Sequence, residues 1–108
     1  VSVFTSFAGS VTANVPEITS YTVANVSVPT SATEVTIVVP DTAIYIWLYN
    51  RTEGLTKVAF VSGQSGTNYI TAVPGSYLDF HKKNGASMTL YVQCPKASQT
   101  IEILYGHS

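Results

Sequence analysis

A chain of 108 residues, 45% of them hydrophobic, has the length and apolar content for one packed core, which excludes a multidomain layout and global disorder. Its net charge of −1 comes from five basic and six acidic residues, and the only adjacent basic pair is Lys82-Lys83, so it lacks the basic stripe that nucleic-acid binding requires. The single Cys94 excludes an intrachain disulfide and a multi-cysteine metal knuckle.

Residues 1 to 20 form a distinct N-terminal stretch. Val1, Val3, Phe4 and Phe7 are apolar, Ala8-Gly9-Ser10 interrupts them, and Pro16 stops any strand. Such an arm is either an extra edge strand or a segment docked on a neighbouring subunit. Val1 at the start fits removal of an initiator Met and cleavage of a precursor equally well. No signal-peptide pattern opens the chain, and no apolar run approaches the length of a membrane span.

From residue 21 onward, apolar residues recur with period two, and turn residues separate the runs. The first predicted strand is Tyr21 to Val28, ended by Pro29-Thr30-Ser31. The second is Glu34 to Val39, with Val35, Ile37 and Val39 on one face and Pro40-Asp41 as the following turn. The third, Ala43 to Asn50, places Ile44, Ile46 and Leu48 on one face and Tyr45, Trp47 and Tyr49 on the other. Both faces are apolar or amphipathic, which predicts a central strand covered on two sides.

Arg51-Thr52-Glu53-Gly54 reads as a hairpin connection to a fourth strand, Thr56 to Ser62, in which Val58 and Phe60 share a face. Gly63-Gln64-Ser65-Gly66 has the most flexible composition in the chain. A fifth strand covers Thr67 to Val73, and Pro74-Gly75 suits a type II turn. The sixth, Ser76 to Phe80, leads to Lys82-Lys83-Asn84-Gly85, whose Asn-Gly pair is the strongest hairpin signal present. The seventh, Ser87 to Gln93, turns Met88, Leu90 and Val92 inward and Thr89, Tyr91 and Gln93 outward. Pro95 breaks it, and the eighth is Gln99 to Tyr105. Eight short strands predict an all-β single domain, an antiparallel β-sandwich or jelly-roll-like fold over residues 21–108 with residues 1–20 as its arm.

Candidate chemistry is sparse. Asp79 and His81 lie two apart on one strand and project to the same face, but no third and fourth ligand stand near them in sequence to complete a metal site. Cys94 with a histidine has the residue types of a nucleophile and base, yet it precedes Pro95 at a strand end, where a lone Cys serves as a small hydrophobe. His107, the penultimate residue, is expected to fray. The expectation is a non-enzymatic protein without metal or cofactor. Two sequons, Asn25-Val26-Ser27 and Asn50-Arg51-Thr52, are of the number expected by chance in a chain rich in Ser and Thr.

The row Tyr45, Trp47, Tyr49 is the sharpest functional signal, with Tyr91 a further outward aromatic. Three placements fit the row: facing the second sheet, meeting a partner subunit, or stacking on sugar rings with Asn50 or Arg51 at the edge. Charged residues are only 10% of the chain, and Thr, Ser and Tyr take their place. A surface so poor in charge does not repel copies of itself, which points to an obligate assembly.

The order of features also carries a resemblance. Ser31-Ala32-Thr33-Glu34-Val35-Thr36-Ile37-Val38 is followed by Ile44-Tyr45-Ile46-Trp47-Leu48-Tyr49-Asn50, then Val73-Pro74-Gly75-Ser76-Tyr77, Leu90-Tyr91-Val92 and Ile101-Glu102-Ile103-Leu104-Tyr105-Gly106. This pattern over residues 21 to 106 resembles the small β-sandwich auxiliary proteins of tailed-bacteriophage virions, capsid decoration (cement) proteins above all. The resemblance implies a homo-oligomer, a trimer favoured, that binds the major capsid protein on the capsid exterior and stabilises it, with Val3, Phe4 and Phe7 as arm contacts. It carries over no catalytic residues. The alternative is a carbohydrate- or receptor-binding module of the tail or head-fibre type.

Overall fold

The computed structural model describes residues 18–108. Its strands are β1 (Ser20–Val28), β2 (Val35–Val38), β3 (Ala43–Tyr49), β4 (Thr56–Ala59), β5 (Ile70–Ala72), β6 (Tyr77–His81), β7 (Thr89–Gln93) and β8 (Gln99–His107). They form two four-stranded antiparallel sheets with strand orders β1-β8-β3-β6 and β2-β7-β4-β5. Position by position, each strand of one sheet is joined to its opposite in the other by the β1–β2, β7–β8, β3–β4 and β5–β6 connections. That is the jelly-roll winding of an all-β sandwich.

Period-two patterning explains the core. Ile46 and Leu48 of β3, Ile101 and Ile103 of β8, Leu90 and Val92 of β7 and Val58 of β4 are fully buried between the sheets. Val28, Ile37 and Val39 close the same layer.

Two expected hairpins are crossovers. Arg51–Gly54 joins β3 to β4, and Lys82–Gly85 leads from β6 to β7, yet in each case the strands lie in different sheets. The turn itself forms at Asn84-Gly85: Gly85 has φ +85°, and Ala86 N–H donates to Lys83 O at 3.0 Å. Local chemistry sets the bend, and long-range pairing sets where the strands go. Among consecutive strands only β4 and β5 pair. At Pro74-Gly75 the type II geometry holds, with Gly75 at φ +81° and Ser76 N–H donating to Val73 O at 3.0 Å.

Other expectations need correction. The fourth strand ends at Ala59, leaving Phe60 and Val61 exposed in the connection, where the Phe60 ring meets Phe80 edge-on at 5.1 Å. The fifth is only three residues long. Gly63–Gly66 is tied down: the Glu34 carboxylate accepts from Gly63 N–H at 3.0 Å and Ser65 N–H at 3.2 Å, and Gln93 Nε2 donates to Ser65 Oγ at 3.0 Å. His107 does not fray either. It is the last residue of β8, opposite Ser20 and Ala43, and its ring nitrogens bond the Thr22 and Thr42 hydroxyls at 2.7 and 2.9 Å.

Asn50 just beyond β3 is wholly buried. Its Nδ2 donates to Gly54 O and Ala72 O at 3.0 and 2.7 Å, and its Oδ1 accepts from Thr52 N–H at 2.8 Å. Its backbone bonds Ser76 O and Gly75 N–H. The side chain therefore ties the β3–β4 crossover to the β5–β6 turn, and as the acceptor of a glycosylation sequon it is out of reach in the folded protein. Asn25, in β1, is exposed.

Candidate functional site

The registers assemble one surface on the outward side of β1-β8-β3-β6. Val23, Leu104, Trp47 and Asp79 align across the four strands, as do Tyr21, Gly106, Tyr45 and His81. A third row reads Asn25, Glu102, Tyr49 and Tyr77. Tyr45, Trp47 and Tyr49 are thus on the outer face and half-buried by one another; they do not face the second sheet. Of the three placements open from sequence, the core one is excluded by the inward direction of Ile46 and Leu48 on the same strand.

The rings pack together. Trp47 and Tyr49 lie parallel, 2° between planes and 5.6 Å between centroids, and Tyr77 of β6 sits 5.5 Å from Trp47. Tyr45 meets the His81 ring at 5.2 Å. Burial first, and the neighbouring Asp79 carboxylate second, push the Tyr45 phenol above its ordinary pKa. Tyr45 Oη reaches Asp79 Oδ2 only at 3.5 Å, and among the described residues Asp79 forms no ion pair. On the β8 side Glu102 is paired with Arg51 at 2.8 Å.

Gly106 shapes the end of this surface. A Cβ there would lie 3.0 Å from Ile18 Cδ1 and 3.3 Å from Tyr45 Cβ, so its bare backbone makes the notch that Ile18 fills. Ile18, two residues before β1, thus lies on the outer face beside Tyr45. Val3, Phe4 and Phe7 lie outside the described residues.

Tyr91 is separated from this cluster. It lies on β7 in register with Thr36 and Ala59, on the outer side of the other sheet. That side carries Lys57 over the Tyr69 ring at 4.9 Å. Beyond it, a solvent-open groove is lined by Val58, Phe60, Tyr69 and Ile70.

The polar candidates are scattered. Cys94 is buried with its Sγ 3.5 Å from Thr56 Oγ1, far in the fold from exposed Asp79 and His81 and from His107 at the other end. Among the described residues no three His, Cys, Asp or Glu side chains converge on a metal-sized site. No helix long and apolar enough to cross a membrane occurs among them.

Sequence reasoning missed Tyr77, Val23, Tyr21, Leu104 and Glu102 as members of the aromatic surface. The alternation along each strand was readable, but which strands adjoin β3 was not.

No family model and no curated protein matches the chain. Among solved structures it is similar to a de novo designed double-stranded β-helix, with a TM-score of 0.49 and 13% identity over 83% of this chain and all of that one. It is also similar to a chain from the Bacillus endospore appendages, described as a novel family of disulfide-linked pili, with a TM-score of 0.49 and 20% identity over 82% of this chain and 87% of that one. The jelly-roll winding described above rests on this chain's own registers.

Proposed function

We propose that this protein is a structural subunit that works by self-association, using the edge of β1 that no described strand covers. The observation that carries it is the character of that edge. β1 is nine residues long, holds no charged residue, proline or glycine, and exposes Tyr21 by 60% and Val23 by 67%. No described strand pairs with its outer side. Beside it on the same flank, β2 is also without charge, and its Val38 is 72% exposed.

The opposite flank is blunted. β5 has three residues and is followed by Val73-Pro74, and β6 carries Asp79 and His81 before Lys82-Lys83. Charge, shortness and proline are how sheet edges avoid pairing, and a long uncharged edge is a template for another strand. A protein that guards one flank and leaves the other open is suited to assembly with copies of itself, and its scattered polar candidates suit a structural part better than a catalytic one. The sequence resemblance supplies the setting we favour, the exterior of a phage capsid, where an oligomer would cement the lattice through the arm residues Val3, Phe4 and Phe7.

Light scattering across a concentration series, with negative-stain microscopy, tests the proposal. The wild type should form a defined oligomer or ordered polymer, and Val23→Lys should yield folded monomers. A wild type that stays monomeric at every concentration overturns self-association. Assembled copies that ignore capsids overturn the capsid setting alone.

A further inference from the structure

The outer aromatic surface has a chemistry that fits one kind of ligand. At its centre three rings, Trp47, Tyr49 and Tyr77, lie within 5.6 Å of their neighbours, and Tyr77 is 57% exposed. Carboxylates flank them on both sides by strand register: Asp79 on β6 opposite Trp47, and Glu102 on β8 opposite Tyr49. The Arg51 guanidinium lies at the rim, fixed to Glu102 at 2.8 Å.

An apolar protein interface over this patch would bury the Asp79 carboxylate, which has no ion-pair partner among the described residues, a desolvation that apolar contact does not repay. A pyranose ring has the opposite demands. Its axial C–H groups give an apolar face that lies on an aromatic ring, and its hydroxyls are donors that a free carboxylate accepts in place of water. An anionic sugar is disfavoured by the Asp79 carboxylate beside the rings, while the charge of Glu102 is offset by Arg51.

We propose that the Trp47–Tyr49–Tyr77 patch is a carbohydrate-binding site for a neutral oligosaccharide, whose sugar rings stack on the aromatic side chains and whose hydroxyls bond Asp79 and Glu102. Asn50, the neighbour that sequence suggests as a contact, takes no part, because its side chain is fully used inside the fold. The site centres on β3 and β6, whereas self-association uses β1 at the opposite edge of the sheet, so either holds without the other.

Trp47 is the only tryptophan, so its fluorescence reports on the site directly. The probes are neutral hexasaccharides of glucose, N-acetylglucosamine, xylose and mannose, titrated into the full chain, with calorimetry for the variants. At least one should give a saturable change in emission. Tyr77→Ala should weaken its binding about tenfold or more, and Asp79→Asn several-fold. Tyr77 is exposed, so its loss leaves folding intact, and a thermal melt confirms that; Tyr91→Ala on the other sheet should bind as wild type. The proposal is overturned if no hexasaccharide acts at about 10 mM, or if Tyr77→Ala binds undiminished. It is equally overturned if tetramethylammonium or an acidic polysaccharide matches the best neutral probe, since the first outcome would make the patch a cation site.

Discussion

On the outer side of β2-β7-β4-β5 the chain covers the β7–β4 part of its own sheet and leaves Thr36, Val38 and Thr71 exposed towards its edges. The connection between β4 and β5 folds back so that Ser65 is buried against Gln93, and Glu34 reaches across from the start of β2 to hold Gly63 and Ser65. Ala59 shares an outward row with Tyr91 and is still 1% exposed. On the outer side of β1-β8-β3-β6 only Ile18, among the described residues, tucks into a notch at one end, and the rings beyond it stay open. The inner faces of both sheets are lined by buried apolar residues. The lesson is that burial of one face makes the fold, while the treatment of the second face, roofed or bare, is a separate decision that marks where the molecule meets others.

The strongest way to break this comparison is within β3 itself. Leu48→Ala, on the inner face, should cost about 3–5 kcal/mol of unfolding free energy, whereas Trp47→Ala next to it, which loses two ring contacts on the outer face, should cost about 1–2 kcal/mol. Urea titration of both variants decides it. A Trp47→Ala loss equal to that of Leu48→Ala would mean that the outer rings are a second core.

The roof over the other sheet should respond to acid. Bonds from the Ser65 hydroxyl first, and from the Gly63 amide next, hold the Glu34 carboxyl below its usual range. A carboxyl whose pKa is lowered by folding contributes stability above its unfolded pKa and loses it as pH falls through the lower folded one. Protection of the Gly63 and Ser65 amides, taken relative to their intrinsic exchange rates, should therefore fall as acid protonates Glu34, and Glu34→Gln should bring the same loss of protection at neutral pH. Unchanged protection in both cases would break the latch. The smallest effect concerns Ser98, which holds φ +58° in the turn before β8. Ser98→Gly relieves that strain and should raise stability by about 0.5–1 kcal/mol, read as a small rise in Tm.

The strand positions were legible from alternation: Ile44-Tyr45-Ile46-Trp47-Leu48 sorts into inner and outer residues as its pattern predicts. Pro74-Gly75 gave its turn because type II geometry depends only on the residues within it. The pairing was not legible. Asn84-Gly85 and Arg51–Gly54 bend the chain as their residues demand, yet the strands they join go to separate sheets, since the partner of each strand is fixed by burial across the whole sandwich. The same limit hid the site. Trp47 stood out, while Tyr77 and Asp79 become its neighbours only once β6 lies beside β3. Gly63–Gly66 misled in the other direction, because a composition suited to flexibility is overruled by a carboxylate presented from 29 residues away.

The position of β8 sets a schedule for the chain. Among the described strands the last, β8, lies between β1 and β3, so β1 has no partner until Gln99–His107 has left the ribosome. During that interval the uncharged Ser20–Val28 segment is as sticky to strangers as to its own partner. Rapid synthesis at high local concentration therefore favours tangles of nascent chains, and slower production or a chaperone that shields this segment would raise the yield of native protein.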